Sequence, residues 1–171
     1  QVKATTFRNY LEVLEDTLIG FRVVPYTATR KRKAITRSKF FLFDVGVTNF
    51  LAKRHPVAMR SEAFGKSLEH FVAQELRAFL ALNRLDHPLA YWRSTSRMEV
   101  DFVVGDDLAI EVKASHQIVE RDLKGLIALR EEGLVRRHVV VSMDPRPRQL
   151  LGIDILPWDT FLAELWQRKY M

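Results

Sequence analysis

The stretch Met98-Glu99-Val100-Asp101-Phe102-Val103-Val104-Gly105-Asp106-Asp107-Leu108-Ala109-Ile110-Glu111-Val112-Lys113 decides the fold. Two runs rich in Val, Ile and Phe flank a Gly-Asp-Asp joint, which predicts a β-hairpin. Side chains of a strand alternate between faces. Val100, Phe102 and Val104 then share one face, as do Ile110 and Val112. Glu99 and Asp101 fall with Val103 on the other, and Glu111 and Lys113 fall with Ala109. If the apolar sets pack against helices, Asp101, Glu111 and Lys113 converge at one end of the sheet.

That set has a definite chemistry. Two carboxylates on rigid strands suit Mg2+, a hard cation that takes oxygen ligands and keeps several waters. Such an ion acidifies a bound water and neutralises charge on a phosphoryl oxygen. A lysine two residues from a ligand can orient the attacking water and stabilise the charge that develops on phosphorus. A salt-bridged sheet face accounts for the same alternation, and at this point both readings stand.

Outward from the hairpin, residues from Ser61 on read helix, three strands, helix, two strands, helix. The first helix spans 62–82, with Phe64, Leu68, Phe71, Val72, Leu76 and Phe79 as its apolar stripe. Glu69 lies about 20° from Leu76 and about 60° from Val72 on that helix. A carboxylate so close to a buried stripe needs a partner, and Arg93 and Lys113 are candidates. Leu89–Arg93 forms the strand before the hairpin. A helix over 119–132 covers the sheet, and Val139-Val140-Val141-Ser142 is a buried strand. Trp158, Phe161, Leu162, Leu165 and Trp166 mark a final helix packed on the core.

The first third of the chain differs in charge. The 171 residues hold 27 Lys and Arg against 21 Asp and Glu, a formal net charge of +6. Residues 1–60 contain 12 of the cations and 4 of the acids. Arg22, Arg30, Lys31, Arg32, Lys33, Arg37 and Lys39 follow one another with no acid between Asp16 and Asp44. Thr5-Thr6 can cap a helix carrying Phe7, Tyr10, Leu11, Leu14 and Leu18, which Gly20 ends. Strands 21–26 and 39–43 follow, joined by the basic loop 27–38. A helix followed by a two-stranded ribbon with a basic tip resembles part of a winged helix, whose tip reaches a DNA backbone. A plain packing subdomain with a solvated loop fits as well.

Composition narrows the field further. Hydrophobic residues make up 47% and aromatics 11%, so the chain can build a core and is not disordered. The absence of cysteine removes disulfides, thiolate catalysis and Cys-based zinc sites, and is consistent with a cytoplasmic setting. No apolar run is long enough to span a membrane. The start at Gln1 has neither an initiator Met nor a signal peptide, which suggests a fragment. The five histidines, His55, His70, His87, His116 and His138, show no zinc spacing. No GxxxxGK[ST] occurs, so no ATP site of that type is expected in this chain.

Taken together, Glu69, Asp101 and Glu111-Val112-Lys113 resemble the PD-(D/E)xK nuclease superfamily, whose core runs helix, three strands, helix, strand. More closely, the chain resembles the C-terminal domain of uncharacterised function found in many bacterial and archaeal AAA+ family ATPases. The likeness covers essentially the whole chain and rests on several stretches. They are Lys39-Phe40-Phe41-Leu42-Phe43-Asp44-Val45-Gly46, Gly65-Lys66-Ser67-Leu68-Glu69, Tyr91-Trp92-Arg93, Glu99-Val100-Asp101-Phe102, Ala109–Lys113 and Ile155–Leu162. One departure is Val100, where the superfamily motif has Pro; resolvase-like members vary there.

The resemblance implies an α/β fold, a mixed sheet flanked by helices. Within it, a restriction-endonuclease-like core (61–171) follows a partial winged-helix segment (1–60). It implies Mg2+ or Mn2+ on Asp101, Glu111 and the carbonyl of Val112. Lys113 would assist the attacking water and Glu69 would hold a metal-bound water or a second ion. DNA would be the partner, contacted by Arg30, Lys31, Arg32, Lys33, Arg37, Lys39 and Arg93, with Gln117 a further candidate. An ATPase domain would lie upstream. Fold alone does not guarantee chemistry. A catalytically silent module that docks DNA or protein for the ATPase, or a domain that sets oligomer contacts, would carry the same core.

Overall fold

The computed structural model describes residues 3–171. Helix α1 (Ala4–Asp16) leads to strands β1 (Gly20–Pro25) and β2 (Lys39–Leu42), then helices α2 (Val45–Leu51) and α3 (Glu62–Leu82). Strands β3 (Leu89–Arg93), β4 (Glu99–Val104) and β5 (Leu108–Lys113) follow. A 3₁₀ turn at Glu120–Leu123 runs into α4 (Lys124–Arg130). Strands β6 (Arg137–Ser142), β7 (Arg148–Leu150) and β8 (Ile153–Pro157) precede α5 (Trp158–Trp166).

The strands form one mixed eight-stranded sheet in the order β2-β1-β3-β4-β5-β6-β8-β7. The expected α/β architecture, a mixed sheet flanked by helices, is present. From α3 onward the order is helix, three strands, helix, strand, with β3–β4–β5 antiparallel and β6 parallel to β5. β1 and β2 do pair as an antiparallel ribbon. β1 also pairs in parallel with β3 at Val24–Ala90 and Pro25–Tyr91, so the sheet runs unbroken across the change in charge.

Two apolar layers cover the faces. One joins α3 and α5 through Leu76, Phe79, Phe161 and Leu165 to Phe102, Ile110 and Val141 of the sheet. The other joins α4 through Leu126 and Leu129 to Trp92, Val100, Ala109 and Val140. α3 starts where Ser61 caps it, its Oγ accepting from the Phe64 amide at 3.1 Å. Among the described residues no helix is long and apolar enough to cross a membrane.

Some local expectations need correction. Thr5 and Thr6 lie inside α1, and its N-cap is Lys3, with no side-chain cap. α1 stops at Asp16, and Gly20 opens β1 instead of closing the helix. The Phe40 ring of the neighbouring strand presses on Gly20, where an added Cβ would lie 2.3 Å from Cζ. Trp158 and Trp166 remain 37% and 41% exposed; each meets the core by one ring edge, against Phe71 and Phe79.

The alternation in β4 also breaks. Ala90 pairs with Val103, but Trp92 pairs with Val100, so β4 carries one extra residue between the pairs. Such a bulge re-aims side chains locally. Val100 therefore packs in the α4 layer while Phe102 packs in the α3 layer, against the expectation that they share a face. The bulge contains Asp101.

α4 reaches the sheet through a glycine. A Cβ on Gly125 would lie 1.8 Å from the carbonyl oxygen of Glu99, a backbone atom that cannot step aside. Gly125→Ala is therefore expected to push α4 off β4 and lower unfolding free energy by about 1–3 kcal/mol, the range for overpacking. Urea unfolding of the variant beside the wild type measures it.

Candidate functional site

Asp101 stands where β4 and β5 part. Regular pairing reaches from Val104–Leu108 to Phe102–Ile110 and stops there. Beyond it, Asp101 Oδ2 accepts the Val112 amide at 2.9 Å, so a side chain does what the next strand carbonyl would have done. Val112 itself is buried in the α3 layer. Asp101 Oδ1 points toward β2 and lies 3.4 Å from Lys39 Nζ.

Lys39 is the unexpected member. Its ammonium also lies 2.9 Å from Glu69 Oε1 on α3 and 2.9 Å from Glu99 Oε1 on β4. Its Nζ sits 5.0 Å from the centre of the Tyr91 ring. Burial works against the charge, but Asp101, Glu69 and Glu99 outweigh it and raise the lysine's pKa. Glu69, whose place beside the apolar stripe demanded a partner, finds it in Lys39 rather than in Arg93 or Lys113. Arg93 lies 3.6 Å from Glu99 instead.

Glu111 and Lys113 form a second pair, Lys113 Nζ donating to Glu111 Oε1. Glu111 Oε2 is buried without a hydrogen-bond partner. Burial, then the negative charge of Asp101, push the Glu111 carboxyl up to about 8, against the pull of Lys113. Burial and Asp101 likewise raise Glu69, which Lys39 opposes. Lys113 is raised because Glu111 and Asp101 overcome its burial. It therefore stays an ammonium at neutral pH, a donor and a positive charge rather than a base.

Two carboxylate oxygens of the cluster are left with little or nothing to hold them. Asp101 Oδ1 holds only the longest of the three Lys39 contacts, and Glu111 Oε2 holds none. Among the described residues no three or more His, Cys, Asp or Glu side chains are arranged to hold a metal. Two carboxylates plus water are nevertheless a common way of binding Mg2+.

The cations expected to face nucleic acid divide into two groups. The tip of the loop folds back on the end of α4. The amides of Arg30 and Lys31 each donate to Glu132 Oε2 at 2.8 Å, and Lys31 Nζ donates to the Glu131 carbonyl. Arg32 binds the Glu131 carboxylate and the Ala128 carbonyl. Lys39 turns into the acidic cluster. Lys33, Arg37 and Arg93 remain exposed. Arg37 sits beside the site, because its carbonyl accepts the Tyr91 hydroxyl. Gln117 is exposed in the turn after β5, its amide on Ser115 Oγ at 3.2 Å.

Glu99 and Tyr91 escaped the reading of the sequence as site residues. Glu99 precedes Asp101 by two positions in a charged run, but only the register of β4 shows that it shares Lys39. His70 was set aside as a ligand; its Nε2 lies 2.7 Å from the Leu42 carbonyl, tying α3 to β2, and burial lowers its pKa.

The buried Glu111 predicts a pH dependence. Its pKa is raised in the folded state, from 4.5 to about 8. The folded chain then binds more protons than the unfolded chain between those values, and stability falls as pH rises through that window. Thermal melts in a metal-free buffer should show this decline, and Glu111→Gln should flatten it.

A family model described as a domain of unknown function (DUF4143) matches residues 64–161. A second, described as a domain of unknown function (DUF8612), matches residues 1–58. Uncharacterised proteins of Mycobacterium bovis and Mycobacterium tuberculosis are each 32% identical over 151 residues, covering 85% of this chain and 33% of theirs. The chain thus spans about a third of the length of the curated relatives it matches. No solved structure matches it. With more than half of its residues matched by that first model, the chain belongs to the DUF4143 family of domains of unknown function.

Proposed function

We propose that the chain is a Mg2+-dependent DNA phosphodiesterase domain of the PD-(D/E)xK type, the C-terminal part of an AAA+ family ATPase. The observation that carries this reading is the orphaned Glu111 Oε2 beside Asp101 and Lys113. A buried carboxylate oxygen without a donor is costly, and a cation or a proton would relieve it. The α3–β3–β4–β5 order, which leaves Glu69 and Glu111 each within the field of Asp101, supports the same reading. The ATPase context rests on the family resemblance, and the relatives' greater length leaves room for it.

In this reading Asp101, Glu111 and the Val112 carbonyl would hold the cation. Bound there, Mg2+ would supply an acidified water and positive charge beside the scissile phosphoryl oxygen. Lys113 donates from its ammonium to orient the attacking water and offset charge on phosphorus. Glu69 fixes a water at the edge of the site, and Arg93 and Arg37 face the strand. Lys39 occupies the acidic cluster until a cation competes for Asp101.

A specific observation favours a second reading. The three carboxylates around Lys39 already have a positive charge, supplied by the protein itself. Lys39 would then be the permanent cation, and the domain would dock DNA or protein for the ATPase without cutting.

Plasmid and single-stranded DNA incubated with the chain and Mg2+ or Mn2+ should be cut, and Asp101→Ala or Lys113→Ala should slow cutting at least about a hundredfold. Equal cutting by wild type and variants would show a contaminant. Calorimetry with Mn2+ separates the two readings: binding at millimolar metal that tightens in Lys39→Met supports the first. No binding in either protein supports the second.

A further inference from the structure

Beside the acidic cluster lies a cavity of about 420 Å3 between β2, α2 and the first half of α3. Glu69 borders it as well as the cluster, and so does Lys39. Its lining is rich in positive charge: Lys39, Arg54 and Lys66, with Glu69 the one carboxylate. Lys39 is answered by the acids, and Lys66 pairs with the exposed Glu62 at 2.5 Å. Arg54 makes no ion pair among the described residues.

The polar groups in the lining are mostly committed. Thr48 Oγ1 donates to the Asp44 carbonyl and Ser67 Oγ to the Ala63 carbonyl. Asn49 is buried, with Nδ2 donating to Ser67 Oγ at 2.9 Å. The donors still available are therefore the Arg54 guanidinium, the Lys66 ammonium and the second hydrogen of Asn49 Nδ2. Phe41, Leu42 and Val45 supply an apolar wall. Cationic donors facing an apolar wall call for an anion with an apolar body. The volume is far beyond a lone phosphate and lies in the range of small-molecule sites. The planar fork of an arginine matches the oxygens of a phosphate.

We propose that this cavity seats a nucleotide of the bound strand, its phosphate on Arg54 and Lys66 and its base or sugar against Phe41 and Val45. The proposal rests on the phosphodiesterase reading and deepens it, because the shared Glu69 places that nucleotide next to the one being cleaved. It also moves the main phosphate contact away from the loop tip, where Glu131 and Glu132 hold the Arg32 guanidinium and the Arg30 and Lys31 amides.

Fluorescence anisotropy with a labelled single-stranded oligonucleotide tests it, in EDTA so that no cutting interferes. Arg54→Ala should weaken binding about tenfold, and Arg54→Lys, which keeps the charge but loses the fork, should fall between. Free dTMP should displace the oligonucleotide from the wild type at concentrations where inorganic phosphate does not. Thermal melts establish that both variants fold. Wild-type affinity in Arg54→Ala, equal competition by phosphate and dTMP, or no measurable binding in the wild type would overturn the proposal. Metal-dependent cutting by the wild type is read separately. Arg54-dependent binding without cutting removes the phosphodiesterase reading and leaves a nucleotide site; cutting without Arg54 dependence does the reverse.

Discussion

The Asp101 carboxylate holds the candidate site together, because it belongs to two structures at once. One oxygen continues the β4–β5 ladder by accepting the Val112 amide, and the other faces Lys39. Without the first bond, β4 and β5 would part with a buried amide unpaired, which costs free energy. Without the second, Asp101 would lose its share of the ammonium that Glu69 and Glu99 hold more closely. The bulge in β4 makes both possible, since it turns Asp101 out of strict alternation at the point where the strands fork.

The charges around this fork are arranged in layers. Lys39 answers the acids from α3 and β4, and Lys113 answers Glu111 from the same strand. The second pair is incomplete, and Glu111 shows it: an orphaned oxygen and a carboxyl pushed up by burial and by Asp101. Buried carboxyls raised this far are frequent at sites that bind cations or move protons. The two readings of function turn on Lys39, which either yields Asp101 to a metal or remains the cation of the three acids.

Much of the fold was legible in residue patterns. Period two marked β4 and β5, the 3.6-residue stripe placed α3 over 62–82, and the apolar run at 139–142 marked β6. α2 was missed because seven residues are too few for a stripe, and its Phe50 and Leu51 are exposed. β7 has three residues, too few to alternate. In the candidate site, Glu69 could be picked out because it is a charge beside a stripe patterned for burial, and Asp101, Glu111 and Lys113 because alternation lines charges up across a hairpin. The partner of Glu69 could not, since Lys39 lies thirty positions away and looked like one more cation in a basic run. The bulge was invisible because nothing in Val100-Asp101-Phe102 distinguishes an extra residue from an ordinary one. The tip residues Arg30–Arg32 had the right charge for DNA, but sequence distance hid Glu131 and Glu132, about a hundred positions on.

The placement of β2 has a mechanical side. It is the edge strand of the sheet, bound on one side only, by four residue pairs with β1. Lys39 is its first residue, so this pairing, with the bond between His70 and the Leu42 carbonyl, sets where the ammonium sits along the sheet. A slip of two residues would keep every side chain on its own face and carry the lysine about 7 Å. That is more than twice its separation from Glu69 or Glu99. Among the described residues Lys39 is the only side-chain cation paired with all three acids, so a pull along β2 would act on them as directly as a change of salt or pH.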